Sequence, residues 1–146
     1  MIKNIFFLLL LVSVFACGNR DGDIIIDDFE NDGLYILIEG LRNDDGQIIL
    51  DLMDENENKI DTIYQTISDK TCEITITDLP AGRYAFQYIH DENLNKEFDA
   101  NGLGIPVEGY GYSRNAPGTF GPPDMEEMIF DYDGSLEMKC QILYLF

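Results

Sequence analysis

The residues best suited to metal chemistry form one short acidic stretch, HDENLNKEFD, at positions 90–99. Oxygen-bearing side chains recur at every second position of this stretch, at Asp91, Asn93, Asn95, Glu97 and Asp99. In a tight loop such spacing can direct several oxygens at one centre. Calcium takes about six to eight oxygen ligands in flexible geometry. The stretch therefore predicts a candidate calcium site, with calcium as the only cofactor that the sequence indicates.

Two positions separate this stretch from an EF-hand loop. Lys96 stands where that loop requires glycine, and Gly102 stands where it requires a bidentate glutamate. One interpretation is a looser calcium loop that Asp99, a backbone carbonyl or Glu108 completes. The other is a solvated loop whose Asn and Asp side chains bond to the local backbone.

Catalytic groups are less well represented than potential metal ligands. His90 is the only histidine, and a lone histidine at the end of a predicted strand is typical of a structural hydrogen-bonding residue. No nucleophile-elbow motif surrounds Ser113, so a Ser-His-Asp arrangement is not indicated. The 28 acidic residues make carboxylate pairs inevitable, and such pairs carry no catalytic information. We therefore predict no enzymatic activity.

A second candidate segment, residues 101–124, is rich in glycine, proline and aromatic residues. A loop of this length inside a compact domain is usually functional or packed as a unit. In one interpretation it binds a ligand through Tyr110, Tyr112, Arg114 and Phe120. In the other, the three rings fold back over the open end of the domain and Arg114 neutralises neighbouring acids.

The elements that must position both segments are short strands, because apolar and polar residues alternate with period two along much of the chain. Strands are predicted at 34–41, 47–53, 60–67, 71–77, 83–89, 128–132 and 136–146. Hairpin signals occur at 43–46 and at Asp133-Gly134, a pair that favours a type I′ turn. The pattern predicts an all-β fold: a seven- to eight-stranded antiparallel β-sandwich, immunoglobulin-like or transthyretin-like, with one long loop before the last two strands. The apolar run Ile24–Ile26 is a candidate additional edge strand.

The first residues have the pattern of an export signal. Lys3 precedes an uncharged apolar run over 5–15, which is too short for the about 20 residues of a membrane span. The following Val14-Phe15-Ala16-Cys17 resembles the bacterial lipobox, in which the cysteine is acylated and becomes the mature N-terminus. We expect a signal peptide at 1–16, an acidic tether at 17–32 and a sandwich domain at 33–146. The alternatives are an ordinary signal peptide with an incidental cysteine and a retained membrane anchor. Lipidation predicts an exported protein anchored to a membrane, with the outer membrane favoured.

Charge and cysteine content limit the function further. A formal net charge of −19 repels nucleic acids and anionic membrane surfaces, so both are excluded as partners, although the lipid anchor still attaches the chain to a membrane. Besides Cys17, the chain has Cys72 and Cys140, each on the apolar face of a predicted strand. An exported protein can form a disulfide, and buried free thiols are the alternative.

Three motifs carry a family resemblance: H-D-E-N-x-N, then G-x-P-x-E-G-Y-G-[FY]-S-x-N, then G-x-F-G-P-P, spread over residues 90–123. Together with LRNDDGQIILDLMD and DLPAGRYAF they resemble the bacterial domain of unknown function 2141 (DUF2141), from Leu34 to Phe146. The resemblance implies an exported sandwich similar to transthyretin-like and carboxypeptidase-regulatory-like modules, with a turn at 79–84 leading into a strand. The family has no established activity, so the resemblance leaves the function open.

These observations predict a lipid-anchored β-sandwich module of the cell envelope. Its expected role is non-catalytic interaction or structure, with calcium as a stabiliser of the acidic loop. The alternative is a small-ligand or glycan-binding protein that uses the Gly-Pro-aromatic segment. The sequence leaves open whether the partner is a protein or a glycan.

Overall fold

The structure is a computed structural model that describes residues 32–118 and 121–145. Its strands are β1 Gly33–Glu39, β2 Gln47–Asp54, β3 Lys59–Gln65, β4 Thr71–Ile76, β5 Gly82–Asp91, β6 Gly109–Tyr112, β7 Phe130–Tyr132 and β8 Ser135–Gln141. A 3-10 turn at Ser113–Asn115 and a one-turn helix, α1 at Met125–Met128, lie between β6 and β7. Within these two ranges, no helix is long and apolar enough to cross a membrane. The predicted signal peptide, Cys17, Ile24–Ile26 and Phe120 lie outside the described residues.

The strands form two sheets, which confirms the predicted all-β sandwich. One sheet has three strands in the order β4-β1-β8, and the other has five, with β3-β2-β5-β6 in sequence and β7 also paired to β5. One pair departs from the antiparallel prediction, because β1 and β8 run parallel. Parallel neighbours need a long connection, and the six strands between β1 and β8 provide it.

The core lies between the sheets and is built by the alternation that the sequence shows. The inward side chains with at most 2% exposure include Leu34, Ile36, Ile38, Ile48, Leu50, Leu52, Cys72, Ile74, Phe86 and Tyr88. Each large apolar side chain buried in this way stabilises the fold by about 1.5–3 kcal/mol relative to an exposed one. The core therefore fixes which face of each strand points outward and is free for other contacts.

The two described cysteines are separate buried thiols. Ile38 pairs with Cys72 on one side and with Cys140 on the other, so it lies between them in the three-stranded sheet. Two strand spacings place their Cα atoms about 10 Å apart, whereas a disulfide requires less than about 7 Å. Both thiols are free, and burial raises the pKa of each to about 12. The free-thiol alternative is confirmed.

Both predicted hairpins are wrong, since each turn joins strands of different sheets. Residues 43–46 connect β1 to β2, and Asp133-Gly134 connects β7 to β8. A type I′ turn needs positive φ at both central residues, and here Gly134 has φ 121° while Asp133 is not among the residues with positive φ. Turn-forming residues reverse the chain direction, but they do not decide which sheet the next strand joins.

Strand β6 lies where the sequence predicts only a loop. Its residues are Gly-Tyr-Gly-Tyr, and a Cβ on Gly109 would lie 2.5 Å from the Tyr144 ring. A Cβ on Gly111 would lie 2.3 Å from Tyr88. The glycines thus face large core rings, and Tyr110 and Tyr112 alternate with them. The period-two pattern was present in the sequence but was hidden by the glycine content.

The turn before β5 is closed by the first aromatic residue of that strand. The Tyr84 hydroxyl donates a hydrogen bond to the Pro80 carbonyl four residues upstream, at 2.8 Å. This arrangement resembles the tyrosine corner of β-sandwich proteins. It gives a structural reason for the Leu-Pro-x-Gly-x-Tyr pattern at residues 79–84.

Candidate functional site

The outer face of the five-stranded sheet carries the candidate site. Strands β2 and β5 are antiparallel, and their outward residues meet in four successive pairs, Met53 with Ala85, Asp51 with Gln87, Ile49 with Ile89, and Gln47 with Asp91. The first and last pairs are covered by other parts of the chain. The two middle pairs remain open and form the floor of a groove.

Residues 113–118 and 121–129 cover one end of this face. Ala85, Ala116 and Met128 form a small second core, against which Met53, Tyr112, Met125 and Ile129 pack. Ser113 holds the segment by donating to the Met128 carbonyl at 2.7 Å. Part of the predicted Gly-Pro-aromatic loop thus folds back on the domain, but onto the sheet face and not over the open end of the sandwich. The apolar side chains of Met53 and Ala85 are the physical reason.

Arg114, a predicted ligand-binding residue, belongs to this covering segment. Its guanidinium donates to the carbonyl of Ile129 at 3.1 Å and to that of Glu126 at 3.3 Å. It does not line the groove. The structure therefore separates Arg114 from Tyr110 and Tyr112.

The acidic loop covers the other end of the face. Asp91 is fully buried and accepts hydrogen bonds from the backbone N–H of Asn95 and Lys96 at 3.0 and 3.1 Å. It also accepts from the Gln47 side-chain amide at 2.9 Å. Leu94 and Lys96 adopt φ of 61° and 65°, which curls the loop around the carboxylate. Asp91 therefore fastens the loop to the sheet.

The remaining loop oxygens bond mostly within the loop. The Asn93 and Asn95 amides donate to the Asp99 carboxylate at 2.6 and 3.1 Å, and their own oxygens accept backbone N–H groups. Four of the five predicted metal ligands, all except Glu97, thus have hydrogen-bond partners in the loop or at its base. Among the described residues, no group of three or more His, Cys, Asp or Glu side chains is placed to hold a metal ion. The geometry favours the self-bonded loop of the two interpretations.

Glu108 closes the loop from the following segment. Its buried carboxylate accepts from the backbone N–H of Glu92 at 3.0 Å and of Asp99 at 3.1 Å, near the two ends of the loop. Burial raises the pKa of Glu108 although both backbone bonds act against that rise, and the nearby charges of Asp99 and Asp91 raise it further. Glu108 therefore holds the two ends of the loop together through these two hydrogen bonds.

His90 and Arg42 complete the base of the loop. His90 is fully buried, with Nδ1 2.6 Å from the Tyr144 hydroxyl and Nε2 2.7 Å from the Asp45 carbonyl. A carbonyl only accepts, so the network assigns the proton to Nε2. Arg42 makes a two-bond ion pair with Glu92. The structural role predicted for His90 is confirmed.

The groove between the two covered ends has a volume of about 940 Å³. Two rows of side chains cross its floor from β3 to β6. The polar row consists of Thr62, Asp51, Gln87 and Tyr112, and the apolar row consists of Tyr64, Ile49, Ile89 and Tyr110. The walls include Lys96 and Phe98 from the acidic loop, Ile105 and Pro106 from the next turn, and Gly118 and Pro122 from the Gly-Pro segment. Both segments singled out in the sequence therefore contribute to one groove.

Charge in the polar row is paired. Asp51 accepts from the Thr62 hydroxyl at 2.6 Å and lies 2.8 Å from the Lys59 amine. Burial tends to raise the pKa of Asp51, but the bonds from Lys59 and Thr62 outweigh that effect and hold the pKa below its usual value. The carboxylate is therefore ionised and neutralised within the groove.

The aromatic residues of the groove were predicted only in part. Tyr110 and Tyr112 line it, and the Tyr110 ring packs edge-on against Phe98 with 5.7 Å between centroids. Sequence reasoning missed Tyr64 and Phe98, which are 50% and 44% exposed. The signal that could have identified Tyr64 was its position on the outward face of its strand, because alternation favours polar residues there and a large ring is unexpected.

The chain belongs to the bacterial family DUF2141, described as an uncharacterized protein conserved in bacteria, which matches residues 36–139. The match extends from β1 into β8 and contains the four strands that form the groove floor. No curated protein and no solved structure matches the chain.

Proposed function

We propose that this protein is an exported, lipid-anchored binding protein of the cell envelope that holds a small ligand in the groove without transforming it. The observation that carries the proposal is the groove itself. Its volume of about 940 Å³ lies in the range of about 300–1,000 Å³ that is usual for ligand sites. Tyr64 and Phe98 leave large apolar areas in contact with water, and a bound ligand would remove that contact.

A binding role fits the chemistry of the groove better than catalysis. Asp51 is the carboxylate that lines the groove, and a carboxylate with a lowered pKa is a weak base. Lys59 is paired with it, and the Lys96 amine lies 5.2 Å from the centre of the Tyr64 ring. These groups are arranged to hold and orient a molecule.

The anchor part of the proposal is supported by the apolar run over 5–15 and by the motif that ends at Cys17. Its test is labelling of growing cells with a fatty-acid analogue. The wild-type chain should carry the label and sediment with membranes, and Cys17→Ser should lose both properties. Cys72→Ser is the matched control, because that thiol is buried in the core and should leave the labelling unchanged. A Cys17→Ser chain that still carries the label would contradict lipidation.

The binding part is tested by filling the groove. In Thr62→Trp, an indole projects from β3 onto the polar row, whereas Thr75→Trp places the same ring on an exposed position of the other sheet. A library of small-molecule fragments is screened against the purified full chain by ligand-observed NMR. Fragments that bind wild type and Thr75→Trp should lose binding to Thr62→Trp. Identical hits for all three chains, or no hits for wild type, would sink the proposal.

A further inference from the structure

We infer that the ligand of the groove is a neutral oligosaccharide, whose hydroxyl groups bond to the polar row while its C–H surfaces pack on the aromatic side chains. The inference rests on the proposed binding function and names the class of ligand. It follows from three properties of the groove, namely the spacing of its rows, its charge and the placement of its exposed rings.

The two rows lie close enough for one ligand to contact both. Rows two residues apart along a strand are separated by about 6.7 Å, and each row crosses four strands, a span of about 14 Å. A purely apolar ligand would strip water from Asp51 and Gln87 without replacing their hydrogen bonds, which is costly. A ligand with no apolar surface would gain nothing from Tyr64 or Phe98. A sugar ring has both hydroxyl groups and an apolar C–H face.

The charge of the groove favours an uncharged ligand. Asp51 is neutralised by Lys59. The other three members of the polar row, Thr62, Gln87 and Tyr112, carry no charge. An anion would approach against the field of a chain with net charge −19, and a cation would meet the Lys96 amine at the groove wall. Hydroxyl groups both donate and accept, so they match the exposed Gln87 amide, which has a carbonyl acceptor and two N–H donors and uses one donor on Asp51.

The exposed rings lie on opposite sides of the floor. Tyr64 is on β3, at one edge of the four-strand row, and remains 50% exposed although Lys96 lies over its ring. Phe98 contacts Tyr110 on β6, at the other edge, and is 44% exposed. A span of about 14 Å between these edges exceeds one sugar ring, so the floor fits an oligosaccharide better than a monosaccharide.

The test is isothermal titration calorimetry of the full chain in a zwitterionic detergent that carries no sugar group. The probes are cello-, malto-, laminari-, xylo-, manno- and chitohexaose, with hexagalacturonate as the anionic comparison. At least one neutral hexaose should bind. Gln87→Leu and Tyr64→Ala should each weaken that binding about tenfold, as expected for one lost hydrogen bond or one lost ring contact.

Matched controls come from the outer face of the other sheet. Gln141→Leu and Tyr35→Ala make the same two chemical changes there and should leave sugar binding unchanged, which also separates lost contacts from a general loss of folding. Sugar binding that survives Thr62→Trp would overturn the inference, because the site would lie elsewhere.

The remaining outcomes distinguish this inference from the function on which it rests. If hexagalacturonate is the one probe that binds, the inference that the ligand is uncharged is overturned. If no sugar binds while fragments bind in a manner that Thr62→Trp abolishes, the glycan is rejected and the binding function stands. If neither sugars nor fragments bind, both are rejected.

Discussion

The acidic loop at residues 90–99 and the neighbouring groove use polar side chains in opposite ways. In the loop, Asp91 is fully buried and the Asn93, Asn95 and Asp99 side chains bond to one another or to the backbone. In the groove, Gln87 and Tyr64 are exposed on the floor, Tyr64 to 50%, whereas Tyr110 is buried. A dense cluster of polar residues close in sequence can satisfy itself. The groove pairs Asp51 with Thr62 and Lys59, but it leaves the exposed side chains of Gln87 and Tyr64 within reach of a ligand.

The largest effect expected is the loss of stability when the acidic loop is no longer held to the sheet by Asp91. Asp91→Ala removes the acceptor of the Lys96 N–H and of the Gln47 amide, and one of the two acceptors of the Asn95 N–H. We expect the free energy of unfolding to fall by about 3 kcal/mol. Urea unfolding measures this free energy. Glu97→Ala, an exposed carboxylate of the same loop, should change it by less than about 0.5 kcal/mol. Equal stabilities of the two variants would show that Asp91 does not hold the loop.

A smaller effect is expected at the strand that carries the groove tyrosines. Gly111→Ala forces a methyl group to within 2.3 Å of the buried Tyr88 ring, whose hydroxyl is held by the Gln141 carbonyl. Overpacking of this kind should lower the free energy of unfolding by about 2 kcal/mol. Gly102→Ala is the control, since no atom lies within 4 Å of its Cβ position. A Gly111→Ala protein as stable as Gly102→Ala would contradict the close packing of β6.

The pH dependence of the loop base gives a third, weaker effect. The hydrogen bond from Arg42 lowers the pKa of Glu92 against the opposing effect of burial. Glu92 therefore contributes stability above the unfolded pKa of about 4.3 and loses it as the pH falls through the lower pKa of the folded state. Glu92→Gln should reduce the free energy of unfolding by about 1 kcal/mol at neutral pH, and its curve should approach that of wild type at acidic pH.

The control for this pH measurement is Glu55→Gln, which removes an exposed ion pair with Arg83. Its effect on the free energy of unfolding should stay below about 0.5 kcal/mol at every pH. A difference between Glu92→Gln and wild type that grows on acidification would contradict the assigned direction of the pKa.

The smallest effect expected is that of calcium. A cation would have to replace hydrogen bonds that the Asn93, Asn95 and Asp99 side chains already make. Millimolar calcium should therefore move the melting temperature by less than about 1 °C relative to chelator, whereas saturation of a specific site would add about 2.7 kcal/mol at a hundredfold excess over Kd. A rise of several degrees that Asp99→Ala abolishes would restore the calcium hypothesis.

The sequence by itself determined the strands other than β6 and the faces that they bury. Alternation placed Cys72, Ile74 and Ile76 on one face of β4, and Tyr84, Phe86 and Tyr88 on one face of β5, as the structure has them. This was predictable because side chains alternate with period two along any strand, so a local pattern reports burial directly. The same alternation is present in β6, but Gly109 and Gly111 occupy its inward positions, so no apolar side chain marked the buried face.

Tertiary structure alone decided which strands became neighbours. The parallel pairing of β1 with β8, the separation of Cys72 from Cys140 and the alignment of Thr62, Asp51, Gln87 and Tyr112 in one row all depend on pairing between distant segments. Hydrophobic alternation gives each strand a buried face, but it does not specify a partner or a register. Those are fixed when the two sheets pack around a common core, and the groove exists only once they are fixed.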